Sequence, residues 1–288
     1  MKKRLISLAA LALIAGCGTS SIDFSIDNPT DASLKLLIDG TAYEVPAHQA
    51  KDVSLKAGEH NMDAPATGKI KFIVYAGRKG GLINPSLNDY VIVSESYVTD
   101  ASKLKNFAPA GGGPFELDGV KFNGPFELAN GLFIDNGWRF GVREPFPDSL
   151  EGYDAGNGGN IFRKIFTAPD FVTYYEQGSG QPNFFEKNRL HNPATPKPLT
   201  TAPPLPVFTD AKTQEASLKL RQLYQDYLHA TDPAQQKQLQ DEYSKLIMDF
   251  TMATATLASS RPVEENVKQN EFVERIGAAM GKSAQVEN

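Results

Sequence analysis

The N-terminal third of the chain follows the two-residue period of half-buried β-strands. Apolar and polar side chains alternate from Ile22 to Asp27, and the same pattern recurs further along the chain. Asp39-Gly40 falls between two such runs and is typical of a two-residue hairpin turn. About seven short strands at this spacing predict an antiparallel, immunoglobulin-like β-sandwich over residues 22–104.

Residues 105–190 differ in composition and predict a second module. They contain 12 of the 17 phenylalanines, 14 of the 24 glycines and the single tryptophan. The pentapeptide Gly-Pro-Phe-Glu-Leu occurs at 113–117 and again at 124–128, with Asp118-Gly119 between the two copies. Such a pattern favours short strands joined by tight turns. We therefore expect a Phe/Gly-rich, β-containing middle module whose aromatic side chains mainly fill its core.

Proline and helical periodicity mark the remainder of the chain. Six prolines in residues 191–208 predict an extended linker, which either spaces two domains or straps across a domain surface. From 209 to 288 the apolar residues step by three and four, which predicts a helical hairpin broken at Thr231-Asp232-Pro233 and a third helix between Pro262 and Gly281. The last seven residues are expected to be frayed. The predicted fold class is α+β.

The first 17 residues carry an export signal. Three basic residues at positions 2–4 precede an apolar run of about a dozen residues, shorter than the roughly 20 that a membrane span needs. Residues 13–17, Leu-Ile-Ala-Gly-Cys, resemble the lipobox of bacterial lipoproteins. The resemblance covers the targeting segment alone. It implies that residues 1–16 are a signal peptide and that Cys17 becomes the acylated N-terminus.

The resemblance to lipoproteins also implies a location. Two or more acyl chains on Cys17, palmitate among them, anchor a protein stably to a membrane. Gly18 rather than an aspartate follows the cysteine, which in Gram-negative lipoproteins favours the outer membrane, facing the periplasm. Residues 17–21 then form a lipidated tether of about 13 Å at about 3.3 Å per residue. The first domain is therefore expected close to the bilayer of the cell envelope.

Charge and residue types exclude several classes of partner. Removing residues 1–16 takes away three basic residues, so the formal net charge moves from −5 to −8. A mildly acidic chain without clustered Lys and Arg argues against nucleic acid. The single cysteine excludes a disulfide within the chain, and the four scattered histidines lack the spacing of metal ligands. The sequence predicts no cofactor and no metal.

Two pairs of residues are candidates for ligand binding. Trp138 and Arg139 lie in the aromatic region, whose flat rings suit the faces of a carbohydrate. Arg78 and Lys79 precede Gly80-Gly81, and consecutive glycine amides beside two cations suit an anion such as a lipid headgroup. The alternatives are core packing for the aromatic side chains and a solvated loop for the cations.

The sequence favours a non-enzymatic role. A lipid-anchored binding or scaffolding module, with an envelope protein or glycan as its partner, accounts for the acylated N-terminus. The alternative is an envelope-glycan hydrolase, because Glu116 and Glu127 occupy equivalent places in the repeat and such enzymes use paired carboxylates. A deep cleft lined by Glu116, Glu127 or Asp135 would favour the hydrolase, and a flat surface would favour the binding module.

Overall fold

The computed structural model describes residues 21–109, 112–151, 158–189, 199, 201–257 and 259–287. The chain is a mixed α+β protein, 34% helical and 31% strand, with several antiparallel sheets. The predicted α+β class is therefore confirmed. The predicted signal peptide, Cys17 and most of the tether lie outside the described residues, as do three of the linker prolines.

The secondary structure follows the predicted order, with β-strands first and long helices last. The strands are β1 (Ser21–Asn28), β2 (Leu34–Ile38), β3 (Thr41–Val45), β4 (Gln49–Lys56), β5 (Gly58–Ala64), β6 (Gly68–Val74), β7 (Gly81–Ile83), β8 (Tyr90–Val98), β9 (Phe115–Leu117), β10 (Val120–Phe122), β11 (Phe126–Ala129), β12 (Phe133–Asp135), β13 (Gly159–Thr167) and β14 (Ala284–Val286). The helices are α1 (Ala168–Ser179), α2 (Phe184–Asn188), α3 (Ala211–Leu228), α4 (Pro233–Thr254) and α5 (Val263–Gly281), with 3-10 turns at Ala101–Asn106 and Ala255–Leu257.

Two sheets share the first hydrophobic core. One has the strand order β12-β7-β1-β4 and the other has the order β14-β6-β5-β2-β3. Strands β1 and β7 pair in parallel, which differs from the purely antiparallel arrangement that was expected. Inward side chains from both sheets, such as Phe24, Leu36 and Phe72, belong to one buried cluster. The two sheets take in β12 and β14, which lie outside residues 22–104.

The hairpin turns form where glycine permits positive φ. Asp39 and Gly40 have φ of 49° and 75°, and they connect β2 to its antiparallel partner β3. Asp118 and Gly119, with φ of 47° and 82°, connect β9 to β10 in the same way. Both turns have positive φ at their two central residues, which is the backbone shape that matches the twist of paired strands. Both predicted turns are confirmed.

The aromatic residues of the middle region pack against one another. Strands β11, β8 and β13 form a three-stranded sheet, and β9 and β10 form a separate hairpin. Between them, Phe122 contacts Phe171 at a ring-centroid distance of 5.1 Å and Tyr175 at 4.9 Å. Phe122 and Phe171 are both buried. The expected use of these aromatic side chains as core is confirmed.

The helical region has the predicted hairpin and third helix. Asp210 and Asp232 cap the N-termini of α3 and α4, each accepting a hydrogen bond from a backbone N–H three residues on. Pro233 occupies the first turn of α4, where its missing N–H costs nothing. Phe250 of α4 and Phe272 of α5 pack at 5.2 Å between ring centroids in the helical core.

The helices dock directly on the second sheet. Gln236 of α4 is fully buried; its side chain accepts a hydrogen bond from Ala76 N at 2.8 Å and donates one to Val74 O at 3.0 Å. Tyr75 and Tyr227 stack at 4.4 Å between ring centroids. The described part of the linker runs over the helices, and Tyr224 donates a hydrogen bond to Pro203 O. Residues 201–208 therefore strap across the helical surface.

The C-terminal segment differs from its prediction. Residues 284–286 are not frayed but form β14, which pairs with the edge of β6. Ala284 and Val286 are buried in the first core, and Gln285 lies between them. The short apolar-polar-apolar alternation suits pairing with the edge of β6. That edge exists only in the folded chain, so the sequence alone did not indicate the strand.

Candidate functional site

A polar groove runs over the outer face of β1 and β4. The antiparallel register places Asp23 opposite Ser54 and Ser25 opposite Asp52. Carboxylates and hydroxyls therefore alternate across the strand pair, with the two aspartates on a diagonal at about 7–8 Å. Within the described residues these four side chains make no hydrogen bond or ion pair. The groove floor thus presents unengaged acceptors and donors to solvent.

One wall of the groove is formed by residues 136–144. Trp138 is half-buried and packs with Val142 against the cluster that contains Ile134 and Ile165. The guanidinium of Arg139 lies 4.8 Å from the ring centroid of Phe162. Wall and floor border an open groove with a volume of about 820 Å³. Trp138 and Arg139, both candidates from the sequence, lie at this groove.

A buried carboxylate closes one end of the groove. Asp27 is fully buried on β1 and accepts a 2.5 Å hydrogen bond from the Tyr90 hydroxyl. Its Oδ1 is ion-paired with Arg143, at 3.0 Å from Nη2. Burial raises the pKa of Asp27, and the hydrogen bond from Tyr90 and the charge of Arg143 oppose that rise.

A buried lysine holds the groove wall from the other side. Lys164 on β13 donates hydrogen bonds through Nζ to Gly141 O at 2.7 Å and to Glu144 O at 2.6 Å. Desolvation lowers the pKa of Lys164 to about 8. Arg143 in the same loop reaches the opposite way, donating through Nε to His48 O at 3.0 Å. Anchored on both sides, the loop forms a wall that exists before any ligand arrives.

Sequence reasoning missed Asp27, Arg143 and Lys164. Asp27 ends an ordinary alternating run, so nothing in the sequence marks it as buried. Lys164 carried a weak signal, since it sits among the apolar residues Phe162, Ile165 and Phe166 of a strand. A lysine is rarely buried without partners. The carbonyl groups that hold Lys164 lie about twenty residues earlier, which the strand pattern does not reveal.

The loop at Arg78 and Lys79 has a strong structural constraint. A Cβ on Gly80 would lie 1.8 Å from Asp23 O, and a Cβ on Gly81 would lie 2.0 Å from Ile134 O. These glycines therefore let β7 insert between β1 and β12. Arg78 is half-buried and hydrogen-bonds to Tyr227, whereas Lys79 is exposed. Anion binding at this loop stays a prediction.

The three carboxylates of the hydrolase hypothesis are not brought together in one site. Glu127 and Asp135 line a second cavity of about 570 Å³, which is the feature expected for the hydrolase, but Glu116 is not among the residues that line it. Glu127 is ion-paired with Arg163. Asp135 lies 3.0 Å from Lys282 Nζ, and its Oδ1 accepts a hydrogen bond from the Ser283 backbone. Glu116 lies on β9, opposite Lys121.

The described residues hold no cluster of metal ligands and no membrane-spanning helix. There, no three His, Cys, Asp or Glu side chains are grouped as they would be around a metal ion. No helix among them is both long and apolar enough to cross a bilayer. Cys17 lies outside the described residues, so its acylation stays a prediction.

Comparison with protein-family models, with curated proteins and with solved structures finds no match to this chain.

Proposed function

We propose that this chain is a lipid-anchored protein of the cell envelope that binds a partner in the groove between β1, β4 and residues 136–144. The lipobox at residues 13–17 supports the anchor, and Gly18 supports the outer membrane as its site. We also propose that the two sheets form an immunoglobulin-like sandwich. The shared cluster of inward side chains supports this arrangement.

One observation carries the proposal: β1, the strand that directly follows the proposed tether, also forms part of the groove floor. β1 begins at Ser21, four positions after Cys17, and Asp23 is already a groove residue. At about 3.3 Å per residue, Asp23 is within about 20 Å of the acylated cysteine along the chain. An anchor at Cys17 therefore places the groove near the bilayer surface, where it meets partners in the envelope.

Binding is preferred to glycan hydrolysis because of how the acidic residues are paired. Hydrolysis of a glycosidic bond needs two carboxyl groups that flank one bond, one protonated and one ionised. Glu127 is ion-paired with Arg163 and Asp135 with Lys282, so both carboxylates already have a basic partner. The binding role requires only the preformed groove.

The anchor is tested by replacing Cys17 with serine. The Cys17→Ser protein is expected to lose palmitate labelling, to keep its signal peptide and to leave the outer-membrane fraction. Asp241→Asn, a change at an exposed position on α4, is the matched control and should be labelled and processed normally. Labelled and normally processed Cys17→Ser protein would refute the anchor.

The groove is tested by site-specific photo-crosslinking in intact cells. A photo-reactive amino acid at Ser54 should give discrete crosslinked species that are absent when it is placed at Asp241. The Trp138→Ala change should reduce those species. Identical products from both positions, or none from Ser54, would show that the groove is not the binding surface.

A further inference from the structure

We infer that the ligand of the groove is a saccharide without negative charge. The inference rests on the proposed function, because it names the ligand class of the same groove. It is carried by three features of the described residues: the polar floor, the indole at the wall and the balance of charge.

The floor matches the hydrogen-bonding pattern of sugar hydroxyls. Each hydroxyl both donates and accepts, while Asp23 and Asp52 only accept and Ser25 and Ser54 do both. Each aspartate lies opposite a serine on the neighbouring strand and two positions from a serine on its own strand. Acceptors and donors therefore alternate both along the strands and across them.

The wall supplies an aromatic ring beside these polar groups. Trp138 lines the groove and is half-buried, so part of its indole remains accessible. The C–H groups on one side of a pyranose ring carry partial positive charge and pack well on the negative face of an indole. A ring of this kind beside a row of carboxylates fits a ligand with one apolar face and hydroxyls at its edge.

The charge of the lining selects against anions. Four acidic residues (Asp23, Asp27, Asp52 and Glu144) and two basic residues (Arg139 and Arg143) line the groove. Arg143 is already paired with Asp27, and Arg139 stacks on Phe162. Phosphates and uronic acids would therefore meet unpaired carboxylates, whereas neutral or amino sugars would not.

Two sources can present such a sugar near the bilayer. A free envelope oligosaccharide and the headgroup of a glycolipid share the same chemistry. The groove lies within about 20 Å of Cys17 along the chain, so both sources are within reach.

Trp138 makes a direct assay possible, because it is the single tryptophan of the chain. The full-length, acylated protein in a zwitterionic detergent without sugar headgroups is titrated with tri-N-acetylglucosamine, with maltotriose and with trigalacturonic acid. A saturable change in Trp138 emission is expected with a neutral trisaccharide and not with trigalacturonic acid. A second arm uses phosphatidylcholine vesicles with and without a neutral monoglucosyl lipid.

Variants test whether the change in Trp138 emission depends on the residues of the groove floor. Asp52→Asn is expected to weaken binding by about tenfold or more, the loss of a hydrogen bond to a charged group. Asp241→Asn on α4 should bind as wild type. Calorimetry of Trp138→Phe, which keeps a ring, should show only a small loss, and Trp138→Ala a large one.

Each outcome has a defined meaning. A response to either the free sugar or the glycolipid supports the inference and identifies the source. Three results would overturn it. They are an emission change that Asp52→Asn does not reduce, stronger binding of trigalacturonic acid than of the neutral trisaccharides, and no emission change with either the trisaccharides or the glycolipid vesicles. Crosslinking from Ser54 to a protein together with silence in both arms would retain the proposed function and reject the saccharide. Sugar binding that depends on Asp52, together with a Cys17→Ser protein that is still labelled and normally processed, would retain the saccharide and reject the lipid anchor.

Discussion

The Tyr90 hydroxyl donates a 2.5 Å hydrogen bond to the buried Asp27 carboxylate, across 63 positions of sequence. Asp27 belongs to β1 of the four-stranded sheet, and Tyr90 begins β8 of the three-stranded sheet. Both side chains are fully buried. The bond therefore joins the four-stranded sheet that contains β1 to the three-stranded sheet of the middle region.

Removing the Tyr90 hydroxyl should destabilise the fold. Tyr90→Phe keeps the ring but leaves Asp27 without its hydroxyl donor, which should cost about 1–3 kcal/mol. Urea unfolding of the purified protein measures the free energy of unfolding. Tyr43→Phe on β3, where the ring is only half-buried, is the control and should change stability by under about 0.5 kcal/mol. Equal effects of the two changes would mean that the Asp27 bond does not stabilise the junction.

Lys164 should make stability rise with pH in alkaline solution. Its folded pKa is about 8, below the ordinary value of 10.5. Between these two values the unfolded lysine still holds the proton that the folded lysine has released, so raising the pH favours the folded state. Below about pH 8 both forms are protonated and Lys164 contributes no pH dependence. The slope from one such group is at most about 1.4 kcal/mol per pH unit.

Comparison with Lys164→Met isolates this effect. Burial raises the pKa of Tyr75 and of Tyr174, so above about pH 10 the unfolded tyrosines ionise first and stability falls. The difference between wild type and Lys164→Met cancels that fall. We expect the difference to shift in favour of wild type from pH 8 to pH 10, as measured by urea unfolding. A difference that is flat across this window would show that Lys164 keeps its ordinary pKa.

Gly80 should not tolerate a side chain. Its φ is +73°, and an added Cβ would lie 1.8 Å from Asp23 O, so Gly80→Ala forces the backbone of β1 or β7 to move. Strain and overpacking together should cost about 2–5 kcal/mol. In contrast, Gly178 near the end of α1 has open space around a Cβ. Gly178→Ala should leave stability unchanged or raise it by about 0.5–1 kcal/mol. Thermal unfolding gives the melting temperature of each variant. Equal melting temperatures for Gly80→Ala and Gly178→Ala would contradict the insertion of β7 between β1 and β12.

Phe250 should be essential to the helical core. It is 2% exposed and packs between Phe208 and Phe272, so Phe250→Ala should cost about 3–5 kcal/mol. Met252 lies two residues later on the same helix and is 63% exposed. Met252→Ala should therefore cost under about 0.5 kcal/mol. Guanidinium unfolding followed by circular dichroism measures both losses of stability. A larger loss for Met252→Ala than for Phe250→Ala would show that the Phe250 face of α4 does not face the core.

Local chemistry explains which elements were predictable. The turn at Asp39-Gly40 needs positive φ at two adjacent positions, and these residue types tolerate it. The start of α4 needs a side-chain acceptor before a residue that has no N–H, as Asp232-Pro233 provides. Each requirement involves residues within a few positions of each other, so each can be recognised in the sequence.

The candidate site was predictable only in part. Trp138 and Arg139 were candidates because of their residue types, and both lie at the groove. Ligand binding by either stays a prediction. The floor residues Asp23 and Asp52 could not be recognised as site residues from the sequence. The alternation shows only that they point away from the core. It does not show that residues 136–144, more than eighty positions later, lie beside them.

The sequence by itself determined most of the N-terminal strands, the two Asp-Gly turns and the helices α3 to α5 of this protein, because these depend on neighbouring side chains and on backbone preferences. Only the tertiary structure decided that β12 and β14 complete the two sheets, that Asp27 and Lys164 are buried, and that the groove exists. A strand edge accepts any chain with suitable alternation, and a charge becomes buried only when distant carbonyls and partners surround it. These contacts join residues that are far apart along the chain, and their free energies are set by the packing of the whole fold.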